Sequence, residues 1–156
     1  MKLSTHYVFT AGLLALVGLV PLGRLDLLVA GFTSVLANIL IDKLGHEIKG
    51  NYIRRTPLTH TVPRSALWGV LASTPVALLP LEEHRLATTL FVLLEGALAG
   101  LSHMLLDVFT EKGIYVKKNG KWTRFALAHF RYDDPIANGL ATVLGVLMLY
   151  ITIRLI

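Results

Sequence analysis

The stretch LATTLFVLLEGALAGLSHMLLD, residues 86–107, is an apolar run that ends in two ionisable side chains. A helix rises about 1.5 Å per residue, so a run of this length can cross about 30 Å of hydrocarbon. His103 and Asp107 are one helical turn apart and therefore lie on the same side of such a helix. The stretch predicts a membrane-spanning helix with a polar pair at one end.

Further apolar blocks make the whole chain unusually apolar. Of its 156 residues 54% are hydrophobic and 16% are charged, whereas a soluble domain carries roughly a quarter charged residues. The sequence therefore predicts an all-α membrane protein with about five transmembrane helices in one domain, residues 1–156. A soluble, wholly apolar helical bundle is the alternative. The five blocks are Tyr7–Leu22, Leu27–Ile41, Ala66–Leu81, Leu86–Leu106 and Ile136–Ile153.

The placement of basic residues predicts an orientation for these five crossings. With alternating sides, 12 of the 15 lysines and arginines fall on one side, most of them in the loops 43–64 and 108–135. The positive-inside rule makes this side cytoplasmic. We therefore expect an integral protein of the cell membrane with its N-terminus in the cytoplasm and its C-terminus outside.

The basic character also bears on partners. The sequence pI is about 9.7, but the basic residues lie in loops next to predicted membrane helices, where anionic lipid heads attract them. The lipid bilayer is thus the expected partner, and nucleic acid is not expected. The chain has no cysteine, so metal binding through thiolates is excluded.

One segment of the loop 108–135 has the pattern of a β-hairpin rather than a helix. Ile114–Lys118 and Lys121–Phe125 flank Asn119-Gly120, a dipeptide that favours the type I′ turn between two strands. The predicted pairs are Ile114 with Phe125, Tyr115 with Arg124, and Lys117 with Trp122. This short cytoplasmic hairpin follows Asp107 closely, so it can cover a site there; a solvated connector is the alternative.

Six ionisable side chains share the predicted cytoplasmic face: His6, Asp42, His46, His60, His103 and Asp107. Asp42 and His46 repeat the spacing of His103 and Asp107. Imidazole and carboxylate groups one helical turn apart can chelate zinc-like ions. The six residues are therefore predicted metal ligands, for a divalent ion such as zinc, manganese or iron, with Asn38 as a supporting residue. Histidine–aspartate ion pairs that only anchor helix ends are the alternative.

Glu95 is the deepest charge of the chain, about 12 Å from His103 along a straight helix. It lies in a different quadrant of that helix, so it is predicted to make a polar contact between helices rather than to join the site.

An ordered set of motifs carries a family resemblance. Thr5-His6, Asp42, RTPLTHT at residues 55–61 and SHMLLDVFTEKG at residues 102–113 occur in this order. The set resembles the membrane-bound metal-dependent hydrolase-like family, which includes the LexA-binding inner-membrane-associated hydrolases. Within that family the chain looks closest to an archaeal branch of unknown function.

The resemblance implies metal ligands at His6, Asp42, His60, His103 and Asp107. The family is similar to zinc-dependent phospholipase C and nuclease folds, which implies phosphoester substrates. Two departures stand out. Arg55 occupies the position of the first histidine of the family's His-Arg-Gly-x-Thr-His motif, and Leu40 that of the first aspartate of its Asp-x-Asp motif. The departures imply a smaller metal site, with His46 as a replacement ligand.

The hypothesis is therefore a membrane-bound, metal-dependent hydrolase of a phosphoester or lipid-linked substrate at the cytoplasmic face, with zinc as the first choice of metal. Asp107 or Asp42 would orient the attacking water, and Arg55 would hold the anionic group. One alternative is a non-catalytic structural or interaction protein of the membrane. The other is a metal or proton transporter, which should carry polar residues through the full membrane depth.

Overall fold

The computed structural model describes residues 1–50, 52–79 and 85–156. Within them it contains five α-helices and two antiparallel β-hairpins. The elements in chain order are α1 Leu3–Leu22, α2 Asp26–Gly45, β1 His46–Lys49, β2 Tyr52–Arg55, α3 Val62–Ala77, α4 Arg85–Asp107, β3 Ile114–Lys118, β4 Lys121–Phe125 and α5 Pro135–Leu155.

Four of these helices are long and apolar enough to cross a membrane: Leu3–Val20, Gly23–Gly45, Leu86–Asp107 and Pro135–Leu155. The prediction of about five such helices is confirmed for these four. The third block forms helix α3, which has 16 residues and is therefore about 24 Å long. It begins earlier than predicted because Thr61 caps it, accepting a hydrogen bond from the Arg64 amide, and it ends at Ala77, close to Pro75.

The five helices alternate in direction through one bundle. Helix α2 runs antiparallel to α1, since Ser34 donates to the Tyr7 carbonyl. Helix α4 runs antiparallel to α3, since Ser65 donates to the Gly100 carbonyl. Helix α5 runs parallel to α1, because Asn138 near its start accepts from the Thr5 hydroxyl. Helices α1, α3 and α5 therefore begin at the end of the bundle where α2 and α4 finish.

Small residues allow α3 and α4 to pack closely. A Cβ on Gly69 would collide with the Gly96 carbonyl, and a Cβ on Gly100 would collide with the Ser65 carbonyl. Glycines four residues apart bring helix backbones into contact in this way in membrane proteins. The close contact fixes the register of α4 against α3, which in turn sets the height of His103 in the bundle.

Both hairpins lie at the polar end of the bundle. The register predicted for β3 and β4 is confirmed, with Ile114 opposite Phe125, Tyr115 opposite Arg124 and Lys117 opposite Trp122. Asn119 and Gly120 have the positive φ angles of the predicted turn, 50° and 78°.

The first hairpin, β1 with β2, was not predicted. It pairs His46 with Arg55 and Glu47 with Arg54. Its sequence signal is the Gly50-Asn51 dipeptide, and Gly50 has a φ of 63°.

Glu95 of α4 lies near Asp26 at the start of α2, and both carboxyl groups are fully buried. Their oxygens have no hydrogen-bond partner among the described residues, so the polar contact between helices stays a prediction. This pair is separate from the cluster at the opposite end of α2 and α4.

Candidate metal centre

The predicted ligands come from separate elements and meet at the polar end of the bundle. His103 and Asp107 lie in the last turns of α4, Asp42 lies near the end of α2, and His6 lies in the first turn of α1. His60 precedes α3 in the short segment after β2. His6, His60, His103 and Asp107 are all at most 1% exposed, so the chain buries a polar group that soluble proteins would normally leave in water.

Four atoms of this group face one another. His103 Nε2 lies 3.4 Å from Asp42 Oδ1 and 3.2 Å from Asp107 Oδ2. His60 Nε2 lies 3.5 Å from the same Asp42 oxygen and 3.7 Å from the same Asp107 oxygen. Within the described residues all four atoms lack a hydrogen-bond partner. Buried polar atoms are rarely left without one, so four that converge form a candidate ligand set, called the tetrad below.

The distances in the tetrad fit a small ion. Ligand atoms at about 2.0–2.1 Å from a tetrahedral zinc lie about 3.3–3.4 Å apart, whereas neighbouring ligands of an octahedral magnesium lie about 2.9 Å apart. The four nitrogen–oxygen separations, 3.2–3.7 Å, lie near the zinc value. Asp42, His60 and His103 form one possible ligand group, and Asp107 belongs to a second one with His6 and His103. Two imidazole nitrogens and two carboxylate oxygens are also a donor set that suits zinc.

The nitrogen that His103 presents to the tetrad is set by Asn38. The Asn38 amide donates to the Ser34 carbonyl at 2.8 Å, so its Oδ1 faces His103 Nδ1 at 2.7 Å. An amide oxygen only accepts, so Nδ1 carries the proton, and Nε2 is the nitrogen that has the lone pair when the ring is neutral. A partner of this kind on the outer nitrogen is typical of histidines that bind metal. The predicted supporting role of Asn38 agrees with this contact.

His60 is oriented in the same way by Thr59. The Thr59 hydroxyl donates to the Ile41 carbonyl at 2.8 Å and therefore accepts from His60 Nδ1 at 2.9 Å. Burial lowers the pKa of His60 to about 4 and outweighs the opposing effect of the Asp42 carboxylate. His60 is thus neutral at pH 7, with its Nε2 lone pair directed to the tetrad.

Gly45 makes the position of this segment possible. A Cβ at residue 45 would collide with the Thr59 hydroxyl and the His60 ring. The absence of that carbon lets His60 reach the end of α2, beside Asp42.

The Asp107 carboxylate has two different oxygens. Its Oδ2 belongs to the tetrad, whereas its Oδ1 binds Arg55 Nη2 at 2.7 Å and the N-terminal ammonium at 2.9 Å. Two cations on one oxygen hold the carboxylate in its charged form inside the protein and fix its rotation. The second oxygen is left as a charged, oriented ligand.

Arg55 was predicted to hold a substrate anion, but in the structure it binds the Asp107 carboxylate. It is buried, and besides Asp107 it donates to the Thr110 hydroxyl and the Gly113 carbonyl. Its Nε has no partner among the described residues. Arg55 therefore supports Asp107 first, and only two of its five N–H groups, the Nε–H and one Nη2–H, are left without a partner.

His6 lies beside the tetrad rather than in it. Its Nε2 is 3.3 Å from Asp107 Oδ1, and its ring stacks on His103 with centroids 4.0 Å apart and planes 11° apart. His6, His103 and Asp107 form a second possible ligand group that overlaps the first. A second ion there would have to share Asp107 Oδ1 with Arg55 and the N-terminus.

His46 does not lie on the same helix as Asp42, so the predicted helical pair is wrong in its geometry. Helix α2 ends at Gly45, and His46 is extended as the first residue of β1. Its Nε2 still lies 3.6 Å from Asp42 Oδ1, at the edge of the cluster, and 30% of its side chain is exposed. Burial lowers the pKa of His46, so this side chain is also neutral at pH 7.

A cavity of about 420 Å³ opens beside the tetrad. Its walls are Met1, Asp42, His46, Ile53, Arg55, Lys112 and Tyr132. Asp42 is 18% exposed, the only member of the tetrad that is not fully buried. A molecule in the cavity would therefore approach the tetrad from the Asp42 side.

Some supporting residues were not predicted. Thr59 joins His60 to the Ile41 carbonyl of α2, Thr110 accepts from Arg55, and the Tyr115 hydroxyl donates to the Arg55 carbonyl at 2.9 Å. Their only signal in the sequence is proximity to His60, Asp107 and the β3 strand, which does not distinguish a supporting hydroxyl from an exposed one.

The fold and this cluster define a helical protein with four helices apolar and long enough to cross a membrane and a buried histidine–aspartate group at one end. Its family is described as a protein of unknown function (DUF1286), whose pattern matches residues 1–106, and the chain belongs to that family. No curated protein and no solved structure matches the chain. The resemblance to a family of unknown function is thus confirmed, whereas the wider hydrolase relationship has no support from these comparisons.

Proposed function

We propose that the protein is a membrane-embedded, metal-dependent hydrolase that acts on a phosphoester group at the membrane surface. The observation that carries the proposal is the tetrad: four buried ligand atoms without hydrogen-bond partners, whose nitrogens lie 3.2–3.7 Å from its oxygens, next to a cavity. His60, His103 and Asp107 would hold one divalent ion, with zinc as the best fit. Asp42 stands on the side where the cavity gives access.

The proposed chemistry is the addition of water to phosphorus. A bound zinc ion lowers the pKa of water and stabilises charge on phosphoryl oxygens. Asp42 would orient the water and accept its proton as the new O–P bond forms. The O–P bond to the leaving group breaks, and that oxygen takes a proton from water in the cavity. Catalytic zinc sites keep one position for water, and in this proposal the water would stand beside Asp42, which is partly exposed.

The charge of the cavity walls supports an anionic substrate. Arg55 and Lys112 line the cavity, with Asp42 as the one carboxylate among its walls. Because Lys112 is not paired with any carboxylate in the described part of the chain, it can neutralise a phosphoryl oxygen.

We further propose that all five helices cross the cell membrane with the cluster at the cytoplasmic end. Two features support this orientation. The helices alternate in direction, and 12 basic residues lie on the cluster side. Helix α3 is short, but it packs along α4 and so would cross the same layer. A phosphoester at the surface, including one linked to a lipid, would then meet the cavity at the height of the lipid heads.

The two alternatives differ in what they require. A transporter needs polar groups along a path through the membrane, whereas the described ionisable residues form a cluster at one end and the separate Asp26–Glu95 pair. A purely structural role for the cluster would need its polar atoms paired, and the unpartnered tetrad favours metal binding over that role.

Hydrolysis by zinc-loaded protein in lipid tests the proposal. We expect turnover of bis(p-nitrophenyl) phosphate or of a phospholipid, loss of turnover on chelation, and its return with zinc. The double variant His60→Ala/His103→Ala should be inactive, while His129→Ala, an exposed histidine outside the cluster, should retain full activity. If the metal-loaded protein hydrolyses no phosphomonoester, phosphodiester or phospholipid, the proposal is contradicted.

A further inference from the structure

A second, smaller cavity lies against the first and has a different character. It measures about 170 Å³ and is lined by Ile53, Arg54, Arg55, Lys112 and Arg124. Four of these five residues are basic and none is acidic. The residues come from strand β2, the turn after α4 and strand β4, so this basic pocket exists only because both hairpins fold over the end of the bundle.

The positive charge of the basic pocket is not neutralised by the protein. Within the described residues only Arg55 has a carboxylate within 4 Å, namely Asp107. Glu47 lies opposite Arg54 in the β1–β2 register but forms no ion pair with it. Lys112 donates to the Ile53 carbonyl at 3.3 Å, which leaves its charge unpaired.

Tyr115 holds one of the arginines beside the pocket. Arg124 Nε donates to the Tyr115 hydroxyl at 3.5 Å, a contact that does not neutralise the arginine charge. Like charges held together destabilise a fold unless an anion offsets them. Arginine pairs and phosphate oxygens form short, charge-assisted hydrogen bonds, so a phosphate-type anion is the ligand that this pocket fits.

The basic pocket and the larger cavity beside the tetrad share three lining residues, Ile53, Arg55 and Lys112. Arg55 is buried between them, and its Nε has no partner. A ligand with two anionic groups can therefore place one beside Asp42 and the other between Arg54 and Arg124, with Lys112 lining both cavities.

We propose that the basic pocket is a second anion subsite, and that the substrate of the proposed hydrolase carries two phosphate-type groups, as a diphosphate or bisphosphate does. This inference rests on the proposed function for the reaction, but the subsite itself can be tested without metal or turnover. Its ligand chemistry is the same whether the second group belongs to a soluble molecule or to a lipid head.

The test measures anion binding to purified metal-free protein by calorimetry, with methylenediphosphonate and inorganic phosphate as probes. Arg54→Gln/Arg124→Gln should weaken methylenediphosphonate binding by about tenfold or more, because two charge-assisted hydrogen bonds are lost. Lys118→Gln/Lys121→Gln is the matched control, since it removes two exposed charges of the β3–β4 hairpin that lie outside the pocket. Equal loss in both variants, or no binding in the unchanged protein, would overturn the subsite.

Further experiments identify the source of the second anionic group and distinguish failure of the subsite from failure of the proposed hydrolysis. Displacement of the probe by phosphatidic acid in nanodiscs, but not by phosphatidylcholine, would assign the second group to a lipid head; no displacement would assign it to a soluble ligand. On zinc loading, the affinity for methylenediphosphonate should rise at least tenfold more than the affinity for inorganic phosphate. An equal rise for both probes would overturn the proposal of a substrate with two phosphate-type groups. If metal-free binding holds while hydrolysis fails, only the proposed function fails; if hydrolysis is independent of Arg54 and Arg124, only this inference fails.

Discussion

Asn38 Oδ1 lies 2.7 Å from His103 Nδ1 and thereby determines which imidazole nitrogen faces the tetrad. The contact joins α2 to α4 inside the bundle, so the packing of two helices sets the chemistry of the ligand. Because Asn38 itself is fixed by its bond to the Ser34 carbonyl, the orientation is built into the fold before any ion arrives.

Replacing Asn38 should therefore weaken metal binding without removing a ligand. We expect Asn38→Ala to lower zinc affinity by about 10–100-fold, the usual effect of losing a partner behind a metal-binding histidine. Competition with a chelating dye measures this affinity. Thr152→Ala removes a buried hydroxyl near the end of α5 that is remote from the cluster, and should leave the affinity unchanged. An Asn38→Ala affinity equal to that of Thr152→Ala would show that His103 needs no such support.

Arg55 should stabilise the metal-free protein more than the metal-bound protein. Arg55→Met leaves Asp107 with the N-terminal ammonium as its remaining close cation, and unpairing a buried charge costs about 3–5 kcal/mol. A bound ion on Asp107 Oδ2 would supply the missing positive charge. Thermal unfolding in detergent should thus show a larger rise in Tm on zinc addition for Arg55→Met than for the unchanged chain. The reverse order would mean that Arg55 and the ion do not share Asp107.

Asp42 is the residue that separates a catalytic site from a closed structural one. If it handles the water, Asp42→Asn should retain zinc with at most about a tenfold loss of affinity, since three ligands remain, while turnover falls at least about 100-fold. Metal affinity and turnover are measured on the same preparation. Loss of zinc from Asp42→Asn equal to that of His103→Ala would make Asp42 an ordinary fourth ligand and would favour a structural ion.

The proposed orientation predicts which ends of the bundle are accessible from outside the cell. The chain has no native cysteine, so single cysteines can be introduced at Asn119, in the β3–β4 turn, and at Arg24, between α1 and α2. An impermeant thiol reagent applied to intact cells should label Arg24→Cys and not Asn119→Cys, with both labelled after lysis. The opposite pattern would place the cluster outside.

Features that depend on residues close in the sequence could be predicted, whereas features that depend on contacts between distant residues could not. Local patterns determined the long apolar helices, the β3–β4 register and the pairing of His103 with Asp107 on one helix. The helix end at Gly45, which moves His46 onto a strand, depends on the close packing of Thr59 and His60. The bond from Arg55 to Asp107 joins residues 52 positions apart, and no local pattern contains that information. The same holds for the basic pocket, which two separate hairpins form together.

Metal content is the most direct test of the central claim that the tetrad binds an ion. Protein purified without chelators and reloaded with zinc should contain about one zinc per chain by elemental mass spectrometry. His60→Ala/His103→Ala should contain none above background, whereas His129→Ala should match the unchanged protein. An unchanged protein that remains free of metal after reloading, while its helical circular dichroism is intact, would contradict the account and leave the cluster as a network of ion pairs.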